Sequence, residues 1–414
     1  MREILLVDLT QKVRNEISSL GLSRSTLNKY DYAWRWLCRY FTNHGQVVYS
    51  VAVGRQCVLE NSLEYEAGKI SKWKFALIRR AVDLLEQYSQ HGCIVWRNVS
   101  HWGRHGLTEP CFLGIVEEYV SDLERKGRGI GTFYLYRTVA EEFLGYLQRS
   151  GFHDCSTLAL KDVSNFILYL SGHYQSTSMR STSSALRSFL AFIAERKFTP
   201  LDLTRAVPTS FASKTTAVPT ITPEEEQKLL ETVDRGTARG KRDYAIMLLA
   251  LRIGLRPVDI VNLRFDDLKW QISTIKIIQQ KTGHILILPL LPDVGNAIID
   301  YLLHGRPSSS ARYVFIRSRA PYTRLSSSLY GIVSSYMKNA GIRQNHGDRR
   351  GLHCCRHSLA ARLLAVETPL SIISTILGHS NKDSTKTYLS TDLEHLRACA
   401  LGLNGIEVTE GEFK

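Results

Sequence analysis

One tyrosine near the end of the chain, Tyr388, follows a spaced series of cations and imidazoles. Arg256 stands in GLRPVDIVNLR, Lys281 in QQKTGH, His353 and Arg356 in LHCCRH, and His379 opens the run that ends at Tyr388, in LGHSNKDSTKTY. A phenol ionises near pH 10, so it becomes a nucleophile at neutral pH only beside cations or a base. An arginine fork binds phosphate bidentately and stays charged. A phosphoryl group under attack grows electron-rich, and fixed cations at its free oxygens are then the largest catalytic contribution. These residue types together suit phosphodiester transfer through a covalent protein–DNA link.

Local pattern sharpens some positions more than others. Arg256 precedes Pro257 at a helix start, and Asp259 lies three residues on, placed to orient a guanidinium. Read alone, Arg256 is a surface arginine in a helix turn. His353 and Arg356 are three apart and share a helix face, so both reach one phosphate. Lys281 precedes the glycine of a predicted hairpin turn, where a lysine is commonly just solvated. His379 follows a glycine at a predicted helix end. Tyr388 is one of 19 tyrosines, and its place nine residues after His379 sets it apart.

The order and contexts of these six residues resemble the tyrosine recombinase (phage integrase) family, strongly from Pro223 to Leu401 and more loosely over the preceding hundred residues. The resemblance implies that Tyr388 is the nucleophile, that Arg256 and Arg356 clamp the phosphate, and that Lys281 gives its proton to the leaving 5′ oxygen. It implies that His379 donates to the phosphate, with His353 the better candidate for taking the tyrosine proton. The acid at Asp259 agrees with the family's first arginine motif. Cys354 and Cys355 are less usual between the motif's histidine and arginine. The implied product is a 3′-phosphotyrosyl link and a free 5′-hydroxyl, formed without ATP, metal or other cofactor. The implied partners are double-stranded DNA, a homotetramer acting on two duplexes, and an accessory DNA-bending protein. Integration, excision, resolution and transposition all remain open. So do two other readings: a type IB topoisomerase or telomere resolvase, and a non-catalytic DNA-binding protein on the same fold.

The elements that must position these residues read as mixed α and β. RDYAIMLLALRIG is a buried helix. STIKIIQQ and HILILPL are β-rich runs joined at KTG, a hairpin signal, and RYVFIRS is a short apolar run. LSSSLYGIVSSYMKNAGI, HCCRHSLAARLLAVE, LSIISTILGH and DSTKTYLST have helical patterns. Thr222 as N-cap, Pro223 at the first helical position and Glu225 three after the cap open this block. The expected fold is mainly α with a small β-sheet in a mixed catalytic domain over 222–405, preceded by helical DNA-binding domains.

Before it, the Ser/Thr/Ala/Pro-rich stretch over 206–221 reads as an exposed linker, and residues 406–414 as a tail. The segment after Tyr388 contains a short apolar helix suited to docking on a neighbouring protomer or to packing on its own domain. Residues 106–205 hold four helical patterns, similar to the family's SAM-like core-binding domain, with Arg180 and Arg187 as candidate DNA contacts. Residues 1–105 form a further helical domain, either core-binding-like or arm-binding. Aligning Thr26 with Thr132 brings Tyr30 to Tyr136, Leu37 to Phe143, Tyr40 to Tyr146 and Gly45 to Gly151 without a gap. A weaker match pairs FALIRRAVDLLEQY with SSALRSFLAFIAER. Either the N-terminal block is a second copy of the core-binding unit, or two amphipathic helices simply look alike. Within KISKWKFALIRR, Lys69, Lys72, Lys74, Arg79 and Arg80 interleave with Ile70, Trp73 and Phe75, a candidate phosphate-tracking face.

Length and charge agree with this organisation. The 414 residues suit two or three domains, and 44% hydrophobic residues suit packed cores. A formal charge of +14 favours a polyanionic partner, nucleic acid before membrane. MREILLVDLTQKVRNEIS contains acids and lacks a long apolar core, so no signal peptide is expected, and the expected location is the cytoplasm, at the nucleoid in a prokaryote. The eight cysteines show no framework spacing and read as reduced thiols. His353, Cys354, Cys355 and His357 invite a zinc reading, but adjacent cysteines do not easily share one tetrahedral site.

Overall fold

The computed structural model describes residues 4–94, 96, 107–174, 176–208, 218–326, 328–345, 348, 350–379, 385 and 388–389. The chain divides into two compact units, Met1–Lys214 and Thr215–Lys414. The division falls inside the stretch read as a linker.

Every regular element among the described residues of the first unit is a helix. Helices α1 (Leu6–Ser18), α2 (Arg24–Asn43), α3 (Val51–Glu66) and α4 (Lys72–His91) enclose one core. Helices α5 (Pro110–Arg125), α6 (Ile130–Arg149), α7 (Leu160–His173) and α8 (Ser176–Glu195) enclose a second. Local chemistry sets the ends. Ser23, Ser50 and Ser71 accept hydrogen bonds from backbone N–H groups of α2, α3 and α4, each cap contributing about 1 kcal/mol. Apolar residues at helical spacing, such as Leu6, Leu9, Val13 and Ile17 on α1, turn to the core. Arg55 of α3 pairs with Glu86 at 2.9 Å and reaches Glu117 of α5 at 3.2 Å, so one guanidinium ties the two bundles.

The second unit is mixed. Helix α9 (Pro223–Glu231) begins at the expected capping box, with Thr222 accepting from Glu225 N and the Glu225 carboxylate accepting from Thr222 N. Helix α10 (Ala238–Leu248) is buried and runs into a π-helical turn over Leu249–Ile253, closed by Gly254 at φ 73°. The short α11 (Pro257–Asn262) follows. Strands β1 (Leu268–Lys269), β2 (Thr274–Ile278) and β3 (Ile285–Pro289) form an antiparallel sheet in that order. Period-2 alternation puts Ile275, Ile277, Leu286 and Leu288 into the core. Helices α12 (Pro292–His304), α13 (Tyr330–Asn339), α14 (Leu352–Ala365) and α15 (Leu370–Leu377) complete the unit.

The short apolar run RYVFIRS makes isolated bridges, Tyr313 with Arg264 and Ile316 with Arg324, and buries Val314, Phe315 and Ile316. One expectation changes. The stretch read as an exposed linker is anchored at both described ends. Val207 is buried in the helical core, Val218 packs beside α14 and α15, and Ile221 is buried while its N–H donates to Ser358 Oγ at 2.7 Å. The composition of the stretch did not reveal these partners, because they lie far away in sequence. The helix expected after Tyr388 and the tail lie outside the described residues.

Candidate active site

Two tight helix ends bring the site together. Gly254 closes the π-helical turn and Gly378 closes α15, both in the left-handed region at φ 73° and 59°. A Cβ at Gly254 would stand 2.8 Å from Leu359 Cδ2, and one at Gly378 would collide with the Gln279 side chain, so both positions need glycine. Their carbonyls, left over at helix ends, become acceptors for arginine. Arg356 on α14 is 3% exposed; it donates through Nη1 to Gly254 O and through Nη2 to Leu377 O at 2.6 Å. Arg256, the N-cap of α11, donates through Nη2 to Gly378 O at 3.0 Å.

The second nitrogen of Arg256 is the telling atom. Nη1 is buried and has no hydrogen-bond partner among the described residues. Asp259 Oδ2 faces it at 4.0 Å, too far for a hydrogen bond. Asp259 Oδ1 instead accepts from Gln280 N at 2.9 Å, which ties α11 to the hairpin turn that carries Lys281. Desolvation pushes Asp259 upward and lowers Arg256, and it lowers Arg356 to about 10, with the neighbouring Arg256 charge adding to the last shift. Two guanidinium groups therefore lie together out of water with one partly engaged carboxylate between them. Buried like charges are costly, and an anion would relieve them.

Tyr388 lies against this pair. It is 2% exposed, in a small cluster with Ala360, Leu364, Ile373 and Leu377. Burial raises its pKa, while the charges of Arg356 and Arg256 pull it down. The imidazole touching the phenol is His357, with Nδ1 3.0 Å from Tyr388 Oη. His357 is one turn beyond His353 on α14, and the two rings stand 6.2 Å apart. In the sequence His357 had drawn notice only through the zinc reading. Its one available signal was its place directly after Arg356.

The remaining sequence candidates divide. Partial desolvation and the charges of Arg356, Lys281 and Arg256 hold His353 below its ordinary pKa. His379 is lowered to about 4, chiefly by desolvation and then by the same cations. Its Nδ1 lies 2.8 Å from Thr385 Oγ1, and its ring stacks 6.3 Å from that of Tyr388. Lys281 is exposed on the β2–β3 turn, near enough to bias both histidines. Thus Arg256, Lys281, His353, Arg356, His379 and Tyr388 share one region, with Asp259 beside them. Cys354 and Cys355 are buried in the core behind α14, and Cys354 Sγ donates to Gly351 O at 2.8 Å.

The DNA-contact candidates lie in the helical unit and fare unevenly. Arg187 donates to Val207 O and Pro208 O, so its guanidinium secures the end of the bundle. Arg80 pairs with Asp83 at 2.6 Å and covers the Trp96 ring. Arg79 lies over Phe75. Arg180, Lys69 and Lys72 are exposed, and Lys74 is half-buried. Basic residue type alone did not separate the tethered arginines from the free cations.

Comparison with known proteins agrees with this arrangement. Residues 219–395 match the phage integrase family, and residues 116–197 match the phage integrase N-terminal SAM-like domain. The integrase/recombinase y4rA of Sinorhizobium fredii is 34% identical over 294 residues, covering 69% of this chain and 71% of that protein. Tyrosine recombinase XerA of Pyrococcus furiosus is 25% identical over 300 residues, covering 71% and 95%. Among solved structures, XerH bound to a palindromic difH substrate in a post-cleavage complex aligns with a TM-score of 0.54 at 16% identity, covering 72% of this chain and 92% of that one. A lambda integrase dimer (75–356) bound to a COC′ core site aligns at 0.51 and 18%, covering 73% and 99%.

Proposed function

The chain belongs to the phage integrase family, the tyrosine recombinases that break and rejoin DNA, and from that premise we propose that Tyr388 is the nucleophile of a phosphate site built by Arg256 and Arg356. The observation that carries this is Nη1 of Arg256, unpartnered among the described residues, beside Arg356 and the Tyr388 phenol. A phosphodiester oxygen supplies the missing acceptor. Tyr388 Oη attacks phosphorus, its proton passes to His357 Nδ1, and the bond to the 5′ oxygen breaks. Lys281 protonates that oxygen, leaving a 3′-phosphotyrosyl link and a 5′-hydroxyl. His353 and His379 stay neutral in this charged setting and donate to phosphate oxygens. A partner strand's 5′-hydroxyl reverses the step, so the energy of the phosphodiester is kept and no ATP is used.

The named relatives are recombinases and integrases, which favours strand exchange over relaxation or hairpin formation. A tetramer on two duplexes and an accessory DNA-bending protein belong to this proposal. No helix among the described residues is long and apolar enough to cross a membrane. The test is a duplex from the chromosomal junction beside the gene, nicked near the cleavage point so that the leaving strand diffuses away. Wild-type protein should become covalently attached, with mass spectrometry placing the nucleotide on Tyr388. Tyr388→Phe should bind equally and give no adduct; an adduct on that variant removes Tyr388 from the reaction.

A further inference from the structure

The N-terminal bundle, outside both family matches, repeats the bundle that follows it, residue for residue over its first two helices. A shift of 106 residues carries α2, Arg24–Asn43, onto α6, Ile130–Arg149, with both ends coinciding. On α1 the buried positions Leu6, Leu9, Val13 and Ile17 fall on buried Phe112, Ile115, Tyr119 and Leu123 of α5. On α2, buried Ala33, Trp34, Leu37 and Phe41 fall on buried Val139, Ala140, Phe143 and Leu147. The turns match as well. Gly21 and Gly127 have φ 70° and 60°, and Gly45 and Gly151 have φ 70° and 88°. Gln46 N donates to Phe41 O and Phe152 N to Leu147 O, the same closing bond 106 residues apart. The fourth helices, Lys72–His91 and Ser176–Glu195, have equal length at a shift of 104. Any two amphipathic helices share a period; they do not share buried positions, glycine conformations and a closing hydrogen bond in one register across two successive helices. The ungapped sequence match is therefore a structural duplication.

The copies differ in surface charge. Residues 6–91 carry 12 Lys and Arg against 8 Asp and Glu, whereas residues 110–195 carry 8 against 9. Much of the excess gathers at one edge. Trp73, on the first turn of α4, is 55% exposed, and Lys29 of α2 sits 5.6 Å over its ring. Lys69, Lys72 and Lys74 flank the same tryptophan in sequence. None of these four lysines makes an ion pair among the described residues. Next to them Tyr65 and Phe75 stack at 5.5 Å, with Arg79 over Phe75. Glu64 and Glu66 lie on the preceding helix end, so the edge is bounded by acids on one side. Solvated cations around an exposed aromatic make a surface suited to a polyphosphate backbone and give no base-edge specificity.

We propose that residues 6–91 are a second core-binding unit and that the Lys29–Lys69–Lys72–Lys74 edge around Trp73 holds the phosphate backbone of duplex DNA. The proposal rests on DNA being the substrate. Each phosphate neutralised contributes about 0.9 to the slope of log affinity against log salt. The full-length protein is titrated with a fluorescent 40-base-pair duplex of arbitrary sequence (a length set by assay convenience, roughly four helical turns) at several salt concentrations. Replacing Lys29, Lys69 and Lys72 by Gln should flatten the slope by about 2 to 3. The same charge change elsewhere on the unit, Lys12→Gln with Arg35→Gln and Arg39→Gln, should move it by less than about 1. All six side chains are exposed, and melting curves check that both variants fold. Equal effects from the two sets would mean diffuse charge and would overturn the edge. An unchanged slope in the first set would overturn DNA contact by this bundle. Covalent capture on the nicked duplex is read in parallel. Loss of capture in wild-type protein would sink the strand-transfer proposal alone, and an unchanged slope with normal capture would sink this one alone.

Discussion

Arg256 and Arg356 make the same proposed contact with phosphate but are held differently, and lysine substitution should separate the two roles. Arg356 bridges two buried backbone acceptors, Gly254 O and Leu377 O. A lysine ammonium is a single point and reaches one of them. Losing the bond to Gly254 O then costs about 1–3 kcal/mol of stability, whereas Leu377 O still accepts from Gln279 Nε2 at 3.3 Å. Arg256 makes one such bond, to Gly378 O, and its other nitrogen is unpartnered among the described residues. A lysine there keeps one acceptor satisfied, so Arg256→Lys should cost less than about 1 kcal/mol. Catalysis should not follow that ranking. Each substitution removes a donor aimed at the charge that develops on phosphate, a loss of about 10²–10³ in rate. Urea denaturation and single-turnover capture on the nicked duplex measure the two quantities. The expected pattern is one unstable and one stable variant, both slow. Equal denaturation midpoints would refute the carbonyl bridge, and cleavage by Arg256→Lys within about tenfold of wild type would remove Arg256 from the phosphate site.

Four further outcomes follow from the same geometry. His357→Gln should leave DNA binding intact and slow adduct formation about 10²-fold or more, read by single-turnover capture; an unaffected rate would exclude it as proton acceptor. Gly378→Ala should destabilise the protein by about 1–2 kcal/mol through its left-handed backbone alone, plus the collision with Gln279, and thermal melting would show otherwise. His379 falls from 6.5 to about 4 on folding, so the unfolded chain binds the extra proton between those values. Stability is accordingly full above about pH 6.5 and declines toward pH 4, and His379→Gln should make that decline shallower in melts across the window. Chelator should leave cleavage unchanged, because arginine and lysine occupy the positions around the phosphate where a metal enzyme places carboxylates; loss in EDTA with recovery in a divalent ion would contradict this.

The parts of this molecule that were readable in advance are those governed by short-range rules. The Thr222 cap, the β2–β3 hairpin and the α2–α6 register each depend on residues a few positions apart, where side-chain period and turn chemistry decide the outcome. The six candidates could be singled out because their contexts are local motifs, and the fold brings them into one region. What escaped was set by distant partners. His357 meets Tyr388 across 31 positions, through the packing of α14 and α15. The carbonyls that hold Arg356 lie 102 and 21 positions away, and nothing in LHCCRH names them. Arg187 is tethered for the same reason: a carbonyl pair claims it only once the bundle has closed. Arg80 differs, because its partner Asp83 stands three positions on along the same helix.

The electrostatics of Tyr388 explain why a base is needed at all beside two arginines. Without DNA, burial raises the phenol pKa and the guanidinium charges oppose that rise without overcoming it, so the phenol is held neutral. A docking phosphate spends those same charges on its own oxygens. The arginine pull on the phenol therefore weakens at the moment of attack, and the tyrosine proton becomes harder to lose. Cations alone can hold the substrate or acidify the nucleophile, but the same charge does both only in part. A neutral acceptor at hydrogen-bond distance resolves the conflict, because it takes the proton as the bond to phosphorus forms. His357 Nδ1, 3.0 Å from Tyr388 Oη, occupies that place. In the proposed mechanism, arginine binding and imidazole deprotonation are thus separate tasks, assigned to adjacent residues of one helix.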